Sequence, residues 1–226
     1  MRAAPLIIAP SHTRETRILA PAAVNLYRFF LSNGVRAHLI AGTGARRLPL
    51  LVKLRALREQ RIAVFYYGHG TKKTLIGDEL GIRKTPNFHL VTENLGNRIN
   101  RRIIEGLQGS LVYTIACDSA DDLGEFLVAN GVRAFVGSTV PMFITHDFDW
   151  DRNNVPDITD AMTVGPRRLY GGATLEQAVE DYRSRAFTMM NEYDFKVRNK
   201  ELSLMMDQNV RNYKIIGDGG WQFWQG

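Results

Sequence analysis

Short apolar runs alternate with amphipathic segments along most of the chain, and this alternation constrains the fold more than any other feature. The runs of strand length lie at 5–10, 35–42, 61–70, 110–117 and 132–139. The segments between them have helical spacing, as in ILAPAAVNLYRFFLSNG at 18–34 and LPLLVKLRALREQ at 48–60, and a helix is also expected within 85–109. Strands that alternate with helices of this length are typical of βαβ units. The sequence therefore predicts an α/β fold with a mostly parallel sheet and helices on both of its faces.

The last third of the chain follows a looser pattern. The stretch at about 140–168 has loop-like sequence, and a loop of this length is unusual in a compact domain unless it has a function. A helix is expected over TLEQAVEDYRSRAFTMMNEYDF (174–195), followed by a last strand in NVRNYKIIGD (209–218). With no internal repeat or clear linker, we predict a single domain over residues 1–226, with a long active-site loop at about 140–168.

The composition excludes several classes of protein. The chain has one cysteine, Cys117, which rules out an internal disulfide framework and fits a reducing compartment. No apolar stretch approaches the roughly 20 residues that a membrane span needs. Apolar residues make up 45% of the sequence and charged residues 23%, as in ordinary globular domains. We expect a cytoplasmic protein with no membrane contact.

The basic charge does not by itself indicate a nucleic-acid partner. The formal net charge is +6 and the pI about 9.6. The basic residues are scattered over helical segments such as NRINRRIIEG (97–106), where they read as solvated faces. Since neither a recognition motif nor an aromatic stacking platform accompanies them, we expect no nucleic-acid binding.

A histidine and the only cysteine stand at the ends of two of the predicted strands. His69 closes the run RIAVFYYGHG (61–70), and Cys117 closes SLVYTIAC (110–117). Ligands of open α/β sheets bind beyond the carboxyl ends of the strands. The two residues are 48 positions apart, about one crossover, so adjacent strands would bring them together. A thiol becomes a good nucleophile when a nearby imidazole takes its proton.

Glycines beside the histidine add to this interpretation. Gly68 and Gly70 flank His69 and let the backbone turn sharply and approach a substrate closely. The amides of Gly70 and Cys117 could then face a carbonyl oxygen as an oxyanion hole.

Other interpretations of these residues stay open. A cysteine at a strand end is often a small buried hydrophobe, and GHG alone is a turn. The chain could thus be a flavodoxin-like binding protein in which His69 and Cys117 meet by chance. The rate of thiol alkylation against pH would distinguish it from an enzyme.

The two strand ends together resemble the caspase-like cysteine peptidases. The resemblance rests on VFYYGHG (64–70) and LVYTIAC (111–117), and the histidine stands about 50 residues before the cysteine, as in that clan. IACDSADDLGEFLVANGVRAFVGSTVPM (115–142) is most similar to the CHAT and gingipain groups. The resemblance implies a caspase-like three-layer αβα sandwich with about six strands. It also implies a catalytic dyad of Cys117 and His69, with Gly70 and Cys117 as oxyanion donors.

The sequence departs from true caspases in two respects. It lacks the Gln-Ala-Cys-x-Gly pentapeptide, and its first strand begins by residue 5. We therefore expect control by a protein partner, or by cleavage within the loop at 140–168, rather than by removal of a prodomain. The alternative is a catalytically silent or partner-activated module that binds a protein through the same fold.

The resemblance also places the pocket for the residue before the scissile bond (P1). That pocket draws on the loops after strands one and five and on the segment around the cysteine. The candidates that these segments supply are His12, Arg14, Asp118, Asp147, Asp149 and Asp151. Carboxylates in the pocket would select Arg or Lys, whereas an arginine would select an acidic residue. Because the acids outnumber Arg14, we predict a protein or peptide substrate cut after a basic residue.

The run HDFDWDRNN (146–154) has acids at alternate positions, as calcium loops do. However, Arg152 stands where an EF-hand needs glycine, and Ile158 stands where it needs glutamate. We therefore expect no metal or other cofactor, with calcium activation as the alternative.

Overall fold

The computed structural model describes residues 2–78, 89–141, 154–195 and 200–224. The strands in these ranges are β1 (Ala4–Ala9), β2 (His38–Ala41), β3 (Ile62–Tyr67), β4 (Gly70–Thr71), β5 (Thr74–Ile76), β6 (His89–Thr92), β7 (Leu111–Ile115), β8 (Ala134–Ser138) and β9 (Tyr213–Gly217). The helices are α1 (Arg14–Ser32), α2 (Arg47–Ala56), α3 (Arg98–Leu107), α4 (Asp122–Ala129), α5 (Asn154–Tyr170), α6 (Leu175–Phe195) and α7 (Lys200–Arg211), with a short 3-10 turn at Gly42–Gly44.

The main sheet has six strands in the order β2-β1-β3-β7-β8-β9. The pairs from β2 to β8 are all parallel, and β9 pairs with β8 in the antiparallel direction. The carboxyl ends of the five parallel strands therefore lie along one edge of the sheet. The expected α/β class, with a mostly parallel sheet of about six strands, is confirmed.

Helices cover both faces of this sheet and enclose two hydrophobic cores. Alternate strand residues such as Ile7, Phe65 and Tyr113 pack against α1, α5 and α6. Their neighbours, such as Leu6 and Val64, pack on the other face against α2, α3 and α4. Because strands buried on both faces read as continuous apolar runs, the sequence pattern of β1, β3 and β7 follows directly from this three-layer arrangement.

A second, antiparallel sheet of three strands was not expected from the sequence. Its order is β4-β5-β6, and it occupies part of the connection between β3 and α3. The region 85–109, where we expected one helix, contains β6 followed by α3. Buried Asn100 joins the two, because its side-chain amide donates to Thr92 O at 2.6 Å and its Oδ1 accepts from Thr92 N at 3.1 Å.

The prediction of a loop at 140–168 is wrong for the second half of that stretch. Residues 154–170 form α5. Ala161 and Leu169, which lie eight positions apart on this helix, are both buried. Pro166 removes the N–H that would bond to Met162 O, and that carbonyl instead accepts the hydroxyl of Tyr67 at 3.2 Å. Tertiary contacts thus stabilise a segment whose Gly and Pro content favoured a loop.

Two further boundaries differ from expectation. Helix α7 was not predicted, and its end takes the first residues of the predicted strand at 209–218, so that β9 begins at Tyr213. Helix α1 begins at Arg14, several residues before the expected apolar stretch. None of the helices in the described ranges is long and apolar enough to cross a bilayer.

A close contact between α5 and β7 gives a test of this packing. A Cβ on Gly165 would lie 2.5 Å from Tyr113 Oη, and that hydroxyl is buried with no hydrogen-bond partner among the described residues. We expect Gly165→Ala to lower the free energy of unfolding by about 1–3 kcal/mol, as overpacking does. Tyr113→Phe should leave it unchanged or raise it, since no hydrogen bond is lost.

Denaturant unfolding of Gly165→Ala, of Tyr113→Phe and of the double variant measures these changes in the free energy of unfolding. The double variant should recover part of the loss, because the atom that the new methyl group meets is gone. Purely additive effects would contradict the packing described for α5.

Candidate active site

The register of β3 and β7 brings the two predicted catalytic residues to equivalent positions. Tyr67 pairs with Ile115 as the last partners of this parallel ladder. His69 and Cys117 each lie two residues beyond these partners. The ladder continues into the turn, where Gly68 N donates to Ile115 O at 3.1 Å. The imidazole and the thiol therefore extend from the same edge of two hydrogen-bonded strands.

Gly70 is packed directly against the turn that carries the cysteine. A Cβ on Gly70 would lie 2.6 Å from Cys117 O and 3.0 Å from Ala116 Cβ. Contacts this close leave no room for a side chain, so only glycine fits here. The histidine turn and the cysteine turn thus touch through their backbones.

The His69 ring is held by the first turn of α1. Its Nε2 lies 2.8 Å from Thr13 Oγ1 and 3.7 Å from Glu15 Oε2. Thr13 is itself the N-cap of α1 and forms a reciprocal capping box with Thr16. Because the cap fixes the threonine, it also fixes the oxygen that meets the imidazole.

Thr13 and Glu15 are functional candidates that the sequence analysis missed. The predicted helix began at the apolar stretch ILAPAAV (18–24), which left SHTRET (11–16) unassigned. The signal was present, since a threonine before an acidic first turn is a helix-start pattern. Only the contact between the start of α1 and the turn after β3 shows what these residues face.

His12 lies beside His69, and its predicted role in substrate binding stays a prediction. Its ring centroid is 5.8 Å from that of His69, and its Nδ1 is 3.8 Å from Asp78 Oδ1. The Asp78 side chain is only 4% exposed, so a buried carboxylate lies next to the His12 ring. Sequence reasoning did not single out Asp78, because it follows β5 of the unexpected small sheet.

Cys117 is half-buried, and a strained turn follows it. Its side chain packs at the margin of the core formed with α1, α5 and α6. Asp118 has φ +45°, a left-handed conformation uncommon for residues other than glycine, though aspartate is among those enriched there. Its N–H donates to Val140 O at 3.1 Å. This turn directs the chain from β7 towards α4 and leaves the thiol at the edge of the sheet.

The predicted pocket acids have different outcomes. Asp118 lies beside Cys117, and partial burial raises the pKa of its carboxyl, while Lys72 lowers it and Asp121 raises it further. Asp147, Asp149 and Asp151 lie outside the described residues, and so does most of the run considered for calcium. The backbone of Arg14 begins α1, and its P1 role stays a prediction. Across the described ranges, no group of three His, Cys, Asp or Glu side chains is placed to hold a metal.

Comparison with known proteins gives similarity at the level of fold. No protein-family model matches the chain, and no curated protein does either. The solved structure of the Arg-specific cysteine proteinase gingipain R superposes with a TM-score of 0.52 at 12% identity, covering 98% of this chain and 47% of that one. A complex of the Porphyromonas gingivalis RgpB pro- and mature domains gives 0.51 at 14% identity, covering 97% and 48%. The chain thus spans about half the length of these solved chains.

The expected caspase-like fold is confirmed by this likeness, because the six-stranded sheet and its flanking helices match the gingipain fold. A closer relation to the CHAT group stays a prediction. The same holds for the roles of His69, Cys117 and Gly70.

The contact between the two turns predicts a specific effect of substitution. Gly70→Ala should force the turns apart and lower the free energy of unfolding by about 1–3 kcal/mol. It should also change the alkylation rate of Cys117, the only thiol in the chain. Gly44→Ala at the same edge is the matched control, since the nearest atom to its Cβ would be Ile40 Cγ2, at 3.9 Å. Equal behaviour of the two variants in unfolding and alkylation would contradict the contact.

Proposed function

We propose that the chain is a cysteine peptidase in which Cys117 and His69 form the catalytic dyad. The observation that carries this proposal is the shared register of the two residues beyond Tyr67 and Ile115. Contact of Gly70 with the Cys117 carbonyl adds a second point at which the two turns meet. The structural similarity to an Arg-specific cysteine proteinase supports the proposal, because that proteinase carries out this chemistry on the same fold.

The proposed reaction has two stages. Cys117 Sγ attacks the carbonyl carbon of the scissile peptide while its proton passes to His69, and the C=O π electrons move to the oxygen. The tetrahedral intermediate collapses when the C–N bond breaks, and His69 gives the proton to the leaving amine. A water then adds to the thioester with His69 as base, and the thiol leaves with its proton restored.

Thr13 and Glu15 support the proton transfer in this scheme. In the thiolate–imidazolium form, His69 Nε2–H donates to Thr13 Oγ1, and the Glu15 carboxylate stabilises the positive ring through space. The hydroxyl also accepts from Thr16 N at 3.2 Å, so it cannot turn away without breaking the cap. Both residues therefore orient the base rather than contact the substrate.

The expected substrate is a protein or peptide cut after Arg or Lys. Asp118 directly follows the proposed nucleophile in the chain, and a basic side chain would pair with its carboxylate. The solved neighbour is named Arg-specific, which supports the same preference here. A regulatory protein partner is consistent with the neighbour solved with its pro-domain.

Turnover of a fluorogenic peptide panel tests the proposal. We expect cleavage after Arg or Lys, faster than after Asp or neutral residues, and loss of activity in Cys117→Ala and His69→Ala. His38→Ala is the control, since His38 is the first residue of β2 and lies beside Lys53. This is the end of the strand opposite to the edge that carries the candidate site. If the wild type cuts no peptide with or without calcium, the chain is instead the catalytically silent or partner-activated module.

Removal of the Glu15 charge gives an independent prediction. Glu15→Gln takes away a negative charge that favours the protonated imidazole, and with it the thiolate. Alkylation of Cys117 at neutral pH and low salt should slow by about tenfold, the change that one pKa unit represents. The control is Glu125→Gln on α4, where the native carboxylate pairs with Lys214 of β9 at 3.3 Å. An unchanged alkylation rate in Glu15→Gln would remove Glu15 from the proposed mechanism.

A further inference from the structure

A buried tyrosine lies directly beneath the turn that carries His69. Tyr66 is fully buried, and its hydroxyl lies 2.6 Å from His69 O and 2.6 Å from Ile76 O. One phenol proton is therefore shared between two carbonyls. His69 O also accepts Ile76 N at 3.0 Å, so this carbonyl is held by two donors.

These bonds fix the direction of the amide that follows. The bond between His69 and Gly70 is trans, since the described residues contain no cis peptide. In a trans peptide the C=O and the next N–H point in opposite directions. When the His69 carbonyl is held towards Tyr66 and β5, the Gly70 N–H must point away from β5.

The strand pairing agrees with this direction. Gly70 lies opposite Leu75, and the bond from Ile76 N to His69 O makes this a non-hydrogen-bonded pair of the antiparallel ladder. The Gly70 N–H therefore lies on the outer side of β4, the terminal strand of the small sheet. The backbone of this residue is also packed against the Cys117 turn, because a Cβ on Gly70 would lie 2.6 Å from Cys117 O.

We infer that Tyr66 is a positioning residue that orients the Gly70 amide as an oxyanion donor by holding the His69 carbonyl. The inference rests on the proposed peptidase function and deepens it. Tyr66 touches neither the substrate nor the reacting atoms in this role. It acts through the peptide between His69 and Gly70.

Two features suit Tyr66 to this role. Burial raises the pKa of its phenol far above the ordinary value, so the group stays a neutral donor over the working range of an enzyme. The adjacent Gly68 leaves the space that the ring needs, because a Cβ there would lie 2.5 Å from Tyr66 Oη and 2.8 Å from Cζ.

Tyr67 provides a matched control for a purely structural effect. It is also fully buried on β3 and also donates to a backbone carbonyl, that of Met162. That carbonyl belongs to α5, on the other side of the sheet from Tyr66. Tyr66→Phe and Tyr67→Phe therefore remove the same atom and the same kind of bond at different distances from the site.

The kinetic test compares these two variants with a peptide that the wild type cuts. Tyr66→Phe should lower kcat by about 10- to 100-fold with KM within about twofold, since loss of a whole oxyanion donor costs about 100- to 1000-fold. The alkylation rate of Cys117 should stay within about twofold, because the dyad is intact. Tyr67→Phe should leave all three quantities within about twofold.

A peptide aldehyde with the preferred P1 residue adds a direct probe of the oxyanion position. Cys117 adds across the aldehyde, so the S–C bond forms, the C=O π bond breaks and the thiol proton passes to the oxygen. That oxygen occupies the oxyanion position. Tyr66→Phe should therefore weaken aldehyde binding by about the same factor as kcat, and unchanged binding would overturn the inference.

A measurement without substrate separates the inference from the proposed function. In NMR-detected hydrogen exchange, the Gly70 amide should change its exchange rate in Tyr66→Phe and not in Tyr67→Phe. An unchanged Gly70 amide overturns the inference even if the protein is an active peptidase. Absence of turnover in the wild type overturns the proposed function and leaves the exchange result to decide the role of Tyr66.

Gly68→Ala tests the same point by another route if Tyr66→Phe does not fold. The added methyl group displaces the phenol and keeps its hydroxyl, so the Gly70 amide should show the same change in exchange. A normal Gly70 amide in this variant contradicts the role of Tyr66.

Discussion

The parallel pairing of β3 with β7 is the constraint on which the candidate site depends. The register Tyr67 with Ile115 places the next two residues of each strand side by side, and the bond from Gly68 N to Ile115 O carries that alignment into the turn. A shift by one residue would move every side chain of one strand to the other face. Since both faces are buried against helices, such a shift would cost much apolar burial. Core packing therefore fixes the positions of His69 and Cys117.

Around these two turns, polar groups are held by bonds whose geometry leaves little freedom. Thr13 caps α1 and meets His69, so the same oxygen serves the helix and the imidazole. On the opposite side, the Tyr66 hydroxyl and Ile76 N–H converge on the His69 carbonyl. The histidine is thus restrained at its ring from α1 and at its backbone from the small sheet. Such restraint is what a site needs if it is to stabilise a transition state without reorganisation.

The sequence predicted the parts of the molecule that follow from local periodicity. Strands β1, β3 and β7 are buried on both faces, and their apolar runs showed it. Helix α5 was missed because its stability comes from contacts such as that of Tyr67 with Met162 O, which no local pattern reveals. The small sheet was missed because its strands have two to four residues. The contacts of Asp78 and Tyr66 could not be predicted without it, since Asp78 follows β5 and the Tyr66 hydroxyl donates to Ile76 O of that strand.

The proposed chemistry and the proposed specificity depend on different parts of this fold. The positions of His69 and Cys117 follow from backbone pairing within the sheet, and the overall fold is shared with the gingipain structures at 12% and 14% identity. A sheet of this order therefore tolerates replacement of most side chains. The proposed substrate preference instead depends on individual side chains around the thiol. Asp118 belongs to both parts, because its left-handed turn directly follows Cys117 and its carboxylate is the proposed partner of a basic P1 side chain. A residue in that position links the geometry of the proposed nucleophile to the charge that a P1 side chain would meet.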